Sequence, residues 1–327
     1  MSVPADTDPL ALSPLGRLAL SRSAVDRATQ RRTDVAWVEA AWADPRTRVV
    51  VVQNSQALVA ATGGDLLELV FVAPAEAPEG TRFLLGVDGD DVAYFGVSGA
   101  VASEAPERSG NPDSKPMSLR QAGALLSDRD AGLFTHAVAL ANWHDSHTHC
   151  PRCGTPTVPA PAGHLTTCPA DGTEHFPRLD PAVIMLVTDP EDRCLLARNA
   201  MWPKGRMSVV AGFVEPGESA EHAVAREVYE ETAIVVGQVR YLGSQPWPMP
   251  RSLMLGFQAA AAGGQTITVD EEEIGEARWF SREEMRASID AGELGLAPTS
   301  SIARRLIEYW YGAELPDGPA TWLAPVR

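Results

Sequence analysis

The chain has 327 residues, 45% of them apolar, and its 27 basic against 43 acidic side chains give a formal net charge of −16. That length predicts two or three domains with real cores, and the acidic balance argues against nonspecific binding to nucleic acid, whose phosphates are held by surplus Lys and Arg. The opening MSVPADTDPL has no basic and then apolar leader, and no apolar run reaches the roughly 18 residues of a spanning helix. A soluble, cytoplasmic protein without a membrane partner is therefore expected.

In chain order, residues 1–30 read as loop and short helix. From Asp34 to Val97 the pattern turns to short β-rich runs, among them Arg48–Val52, Phe83–Val87 and Val92–Val97, with Asp88-Gly89-Asp90-Asp91 as a hairpin signal between the last two. This stretch predicts an α+β domain over residues 1–117, read as scaffold or dimerisation domain. Ser103–Pro116 is rich in turn formers and reads as a linker. Helices are predicted at Leu119–Leu126 and, capped by Ser127, at Asp128–His144, within a connecting segment of residues 118–149. His144, His147 and His149 are read as helix end and surface, not as ligands.

Cys150-Pro151-Arg152-Cys153 followed by Cys168 matches the first three ligands of a zinc ribbon, placed at residues 150–176. The expected fourth Cys, with two residues between it and Cys168, is replaced by Asp171, so Asp171 is the candidate fourth ligand, with His175 its main rival and His164 behind it. A site that carries no zinc is the remaining possibility. Cys194 stands apart and reads as a small buried hydrophobe.

Residues 177–313 predict a second α/β unit, with residues 314–327 as a tail. Its strands are expected at Val183–Thr188, Arg193–Arg198, Met207–Gly212, Ser252–Ala261, Thr266–Val269 and Ala277–Phe280, and its later helices at Arg282–Ala291 and Ser300–Tyr311. Within it, the run Gly212–Ile234 predicts a tight turn at Pro216-Gly217, a cap at Ser219 and a helix bearing Glu227, Glu230 and Glu231 at i, i+3 and i+4. Three carboxylates on one helix face repel unless a cation sits among them, and hard divalent ions take oxygen ligands and bridge phosphates. A solvated acidic face is the plainer alternative. Downstream, Ser244-Gln245-Pro246-Trp247-Pro248-Met249-Pro250-Arg251-Ser252 is a stiff loop that fixes the directions of Gln245, Trp247 and Ser252.

Gly212, Glu218, Arg226-Glu227-Val228 and Glu230-Glu231 fall at the spacing of the Nudix box, with Ala233 where that motif has its last Gly. The Pro-rich loop resembles the SQPWPFPxS signature of the NADH pyrophosphatase (NudC-type) branch of Nudix hydrolases, with Met249 where the family has Phe. The likeness covers roughly residues 118–312. It implies a Nudix α/β/α sandwich, an N-terminal α+β domain and a zinc ribbon between them. It also implies that Glu227, Glu230, Glu231 and Glu273 hold Mg²⁺ or Mn²⁺, and that Phe213 stacks on a nicotinamide. Phe176, Ile184, Gln245, Trp247, Met254 and Ala303 would line the nucleotide pocket.

Glu230 or Glu231 would prepare the attacking water, and Arg226 would brace the glutamates. The implied reaction is metal-dependent hydrolysis of NADH or NAD⁺ to NMNH or NMN and AMP, with NAD-capped RNA 5′ ends as a larger substrate and a homodimer sharing its active sites. Hydrolysis of ADP-ribose or another nucleoside diphosphate derivative, and a catalytically silent nucleotide sensor, are the alternatives.

Overall fold

The computed structural model describes residues 13–101 and 113–316, which fall into two compact units. The first comprises Leu20–Leu179 and Pro246–Ser252, and the second residues 13–19, Asp180–Gln245 and residues 253–316. No helix among the described residues is long and apolar enough to cross a membrane.

In the first unit, α1 (Val35–Ala43), β1 (Arg48–Val52), β2 (Gln56–Ala61), β3 (Leu67–Leu69), β4 (Thr81–Val87), β5 (Ala93–Ser98) and β6 (Lys115–Ser118) precede α2 (Leu119–Ala122) and α3 (Asp128–Ser146). One sheet has the order β1-β5-β4 and a second β3-β2-β6. The alternation of side chains along a strand sends Val50, Val52, Phe83, Leu85 and Tyr94 to one face, against Leu133, Phe134, Ala137 and Val138 of α3. The opposite face carries Val49, Leu84, Phe95 and Val97 against Val38 of α1. The predicted hairpin is present: Asp88 Oδ1 accepts the N–H groups of Asp90 and Val92, both at 3.0 Å, and Oδ2 accepts the Tyr94 hydroxyl at 2.9 Å. The helix expected over Leu119–Leu126 is a single turn, Leu119–Ala122, after which Gly123 and Leu125 donate their N–H groups to Leu119 O and Ala122 O, both at 2.8 Å, in a following turn.

The ribbon also belongs to the first unit, as three two-residue strands, β7 (Val158–Pro159), β8 (Thr166–Thr167) and β9 (Glu174–His175), in an antiparallel sheet. Of the predicted linker, residues 103–112 lie outside the described residues, while Lys115–Ser118 pairs with β2 as β6.

The second unit contains β10 (Asp180–Thr188), β11 (Cys194–Asn199), β12 (Val210–Phe213), α4 (Ala220–Thr232), β13 (Val236–Trp247), β14 (Ser252–Ala261), β15 (Ile274–Phe280), α5 (Arg282–Asp290) and α6 (Ile302–Tyr311). Its sheet runs β13-β14-β10-β11-β15, with β12 on β10. Val183, Met185, Val187, Leu195 and Ala197 face Ala223, Val224 and Val228 of α4. The alternate residues Ile184, Leu186, Cys194 and Leu196 face Met285 and Ile289 of α5 and Ile302, Leu306 and Ile307 of α6. This is the expected α/β/α sandwich, and Cys194 is fully buried in it, as read from the sequence.

Three strand assignments change. The strand expected at Met207–Gly212 begins only at Val210, with Ser208 forming no more than an isolated bridge to Ala197. Thr266–Val269 is not a strand: Ile267 and Val269 pack against the α4-side core, but Thr268 bonds Thr232 O at 3.0 Å instead of joining a ladder. The twelve residues of β13, which the sequence pattern did not reveal, form an edge strand with few buried positions.

Candidate active site and metal-binding ribbon

Helix α4 begins at Ser219, whose hydroxyl accepts the His222 N–H at 3.2 Å. With Ala223, Val224 and Val228 committed to the core, the glutamates at 227, 230 and 231 are turned toward β12 and the turn before the helix. Arg226 gathers this region. Its Nε and Nη2 donate to the two oxygens of Glu218 at 2.9 and 2.8 Å. Nη1 donates to Glu227 at 2.8 Å and Glu230 at 2.9 Å, and Nη2 also reaches Phe213 O at 2.9 Å. The forked, bidentate pairing is what a guanidinium supplies and an ammonium cannot. Glu218, read from the sequence as a position of the Nudix box, is thereby locked to Arg226 and its pKa is drawn down to about 2. Arg226 in turn is pushed up, chiefly by Glu218.

Glu231 differs from its neighbours. It is 6% exposed, and burial, followed by the charges of Glu273 and Glu227, pushes its pKa up to about 8, against an N–H donated by Ala211. Burial also raises Glu227. Glu230 is exposed, at 58% of its side chain. Gly212, opposite Val183 on β10, is required here because a Cβ would collide with the Glu227 carboxyl. Glu273 lies outside α4 yet acts on both Glu227 and Glu231, so the loop before β15 brings it into the same field. Buried carboxylates that repel one another and lack a full complement of cations suit a divalent ion, which would let Glu231 ionise.

The remaining predicted substrate residues divide by exposure. Phe213 and Phe176 are open to solvent, at 58% and 63%. Ile184 and Ala303 are buried in the second unit's core, with Met254 packed partly against it. Gln245 is fully buried and its Nε2 donates to Ser300 O at 3.0 Å. Ser252 is half-buried at the start of β14. Trp247 and Met249 belong to the first unit and pack against its core, with Arg120 stacked 5.5 Å from the Trp247 ring centroid. Asn142, whose role the sequence did not disclose, donates Nδ2 to Pro248 O at 2.6 Å and so anchors the Pro-rich loop. Its only signal was its place within residues 118–312, the span of the family likeness.

In the ribbon, the sulfurs of Cys150, Cys153 and Cys168 and a carboxylate oxygen of Asp171 all lie within 4.8 Å of one another. The two halves are the same turn used twice. Cys150 N–H donates to Thr155 O at 2.8 Å and Gly154 N–H to Cys150 O at 2.9 Å. Cys168 N–H donates to Thr173 O and Gly172 N–H to Cys168 O, both at 2.9 Å. Gly154 and Gly172 have φ of 74° and 73°, the left-handed region that favours Gly. Asp171 therefore occupies in the second turn the place of Cys153 in the first.

Ligands about 2.3 Å from a tetrahedral zinc stand about 3.8 Å apart, and the Cys153 and Cys168 sulfurs are 3.5 Å apart, so the donor set fits the ion. Hydrogen bonds from Thr155 draw Cys153 down to about 7, while burial pushes Cys168 up to about 11. The rival donors are placed elsewhere: His164 Nε2 bonds Leu84 O at 2.7 Å, and His175 is outside the four-residue cluster. His144 is buried with Nε2 on Gly163 O at 2.8 Å, and His147 and His149 bond Ser146 and Thr148.

Family models match in three successive stretches: an NADH pyrophosphatase-like rudimentary NUDIX domain over residues 46–143, an NADH pyrophosphatase zinc ribbon domain over 145–176 and a NUDIX domain over 178–299. The protein named NAD-capped RNA hydrolase NudC in Mycobacterium bovis (strain BCG / Pasteur 1173P2) is 43% identical over 281 residues, spanning 83% of this chain and 85% of its own. Its namesake in Mycobacterium tuberculosis (strain ATCC 25618 / H37Rv) is 42% identical over the same shares. NAD-capped RNA hydrolase NUDT12 of Homo sapiens is 40% identical over 197 residues, 57% of this chain and 42% of that one. A ribbon of this form, a Nudix box on α4 and matches over most of two chains lead to one conclusion: the protein belongs to the NADH pyrophosphatase (NudC-type) family of Nudix hydrolases.

Proposed function

We propose that the chain hydrolyses the pyrophosphate bond of NADH and NAD⁺ to NMNH or NMN and AMP, and removes NAD caps from RNA 5′ ends. The observation that carries this reading is the carboxylate set around Gly212: Glu227, Glu230, Glu231 and Glu273, with Glu231 held protonated at neutral pH by burial and by the charges beside it. The printed names of the mycobacterial and human relatives supply the substrate class.

Glu227, Glu230, Glu231 and Glu273 would hold Mg²⁺ or Mn²⁺, which when bound neutralises pyrophosphate oxygens and lowers the pKa of coordinated water. Arg226 keeps Glu227 and Glu230 in place by its fork while Glu218 takes up the rest of its charge. With a divalent ion offsetting the burial and the neighbouring charges that hold its proton, Glu231 would ionise and would then be placed to accept a proton from coordinated water. Phe213, exposed directly after the box glycine, would stack on the nicotinamide. Trp247, stiffened between prolines and fixed over Arg120, would contact the nucleotide with Gln245 and Ser252 setting the loop. Zinc would be held by Cys150, Cys153, Cys168 and Asp171 as a structural ion, and the working form would be a homodimer whose sites are shared.

The test is product chromatography after incubation with NADH, with and without Mg²⁺ or Mn²⁺, beside Glu230→Gln and an ADP-ribose comparison. NMNH and AMP should form only with metal and intact protein, and the variant should lose at least about 100-fold in rate while keeping its thermal transition. Faster cleavage of ADP-ribose than of NADH would overturn the substrate assignment, and metal-independent turnover would overturn the mechanism.

A further inference from the structure

The first unit holds a cluster of cation-forming side chains that the hydrolytic reading does not use. Arg27 follows the bridge between Asp26 and Val87, Arg32 follows the short turn Thr29–Arg31, His136 lies on α3, and His164 lies in the ribbon between β7 and β8. Both histidines are tied to carbonyls of β4, His164 through Nε2 to Leu84 O at 2.7 Å and His136 to Leu85 O. Their ring centroids are 5.3 Å apart. Arg32 Nη2 donates to Arg27 O at 3.1 Å, while Arg32 Nε is buried and has no hydrogen-bond partner among the described residues.

What the cluster lacks is an anion. The chain has 16 more acidic than basic residues, and the adjacent Arg31 reaches Asp91 at 4.0 Å and Arg82 pairs with Glu39. Arg27 and Arg32 nevertheless form no ion pair among the described residues, and no carboxylate contributes to the shift of either. Burial lowers Arg27, and burial followed by the charge of Arg27 lowers Arg32. Burial and then Arg27 hold His136 well below the usual imidazole value. Burial is also the first cause for His164, drawn down to about 4, with Arg32, Arg27 and His144 opposing its charge. His144 itself bonds Gly163 O and is influenced by Asp145. Arg27 is exposed to solvent.

Guanidinium groups without a carboxylate partner, one of them with a buried N–H left unbonded, raise the free energy of the fold, and a bound anion of matching shape offsets that cost. Planar forks suit phosphate oxygens. A histidine whose one nitrogen donates to a carbonyl can become a second donor by taking a proton on the other. We propose that Arg27, Arg32, His136 and His164 form a phosphate-binding site in the first unit, taking the phosphoryl group of a free anion, a mononucleotide or an RNA strand. The chemistry recognised is the same in each, and the experiment separates the sources.

Zinc-loaded protein without added Mg²⁺ or Mn²⁺ is titrated with inorganic phosphate, AMP and a ten-nucleotide RNA, by calorimetry and by imidazole NMR. The expected result is saturable phosphate binding that perturbs His136 and His164 and takes up protons, weakened at least tenfold in Arg27→Gln/Arg32→Gln. Equal binding of phosphate and AMP with no gain for RNA assigns the site to small anions; RNA binding at least tenfold tighter than AMP, lost in the variant, assigns it to the strand. If the double variant fails to fold, the wild-type histidine signals decide. Unmoved histidine signals at saturating phosphate, or equal affinity in a folded variant, would overturn the proposal.

Discussion

Ala233 ends α4 in the left-handed region, with φ 56° and ψ 17°, and donates its N–H to Tyr229 O at 2.7 Å. The motif's usual Gly would take that conformation without strain. A left-handed non-Gly residue costs about 1–2 kcal/mol, and Gly gives back about 0.5–1 kcal/mol through the unfolded chain. Ala233→Gly should therefore stabilise the protein by about 0.5–1 kcal/mol, a rise of a few degrees at most in the thermal transition. Calorimetry decides it, and a lowered transition would mean that neighbouring packing, not the helix end, sets this position.

Glu231 gives a pH signature of its own. Its folded pKa of about 8 lies above the ordinary 4.5, so between these values the folded protein holds a proton that the unfolded chain releases. Without divalent metal, stability should fall as pH rises through that window, by at most about 1.4 kcal/mol per unit from this group. Glu231→Gln should remove this part of the slope, and saturating Mg²⁺ should flatten it in the wild type. Parallel melting curves of wild type and variant from pH 5 to 8 would show that Glu231 does not carry the proton.

At the scale of elements, the ribbon depends most on something other than packing. Three two-residue strands cannot hold a sheet through their ladders alone, and both turns point their donors at one centre. Cys153→Ser should lower bound zinc and the melting temperature together, with a smaller effect on catalytic rate. Asp171→Cys should retain zinc against a chelator longer than the wild type, because thiolate is the softer ligand. Metal analysis with chelator competition checks both, and zinc loss in Asp171→Cys would sink the assignment of that position.

The elements also show where sequence reading succeeds. Strands β10 and β11 were legible because both faces are buried and their apolar runs are continuous. Helix α1 was not, since Val35–Ala43 is apolar at every position but Glu39 and no polar face marks its period, although Trp37, Val38, Ala41 and Trp42 pack on one side. The glutamates were legible from spacing, but the Glu218–Arg226 clamp was not. Nor were the contacts of Asn142 with the Pro-rich loop, 106 residues away, or the contact of the His136 and His164 rings. Chain separation hides such partners from any local pattern.

For the whole molecule, the proposed shared-site dimer makes the sharpest demand. In each chain Phe213 and Phe176 stand open to solvent, while Trp247 is fixed by a first-unit loop and Glu230 by Arg226 on α4. If a working site draws Glu230 from one chain and Trp247 from the other, two separately crippled proteins can rescue one another. Glu230→Gln and Trp247→Ala should each be nearly inactive alone. After mixing and subunit exchange, half the dimers would be mixed, each with one site carrying both intact residues, restoring roughly a quarter of wild-type activity. Sites contained within single chains would yield only the mean of the two variants. Sedimentation at assay concentration must show a two-chain species for the rescue to occur, and a fully active monomer would remove the dimer from the account of catalysis.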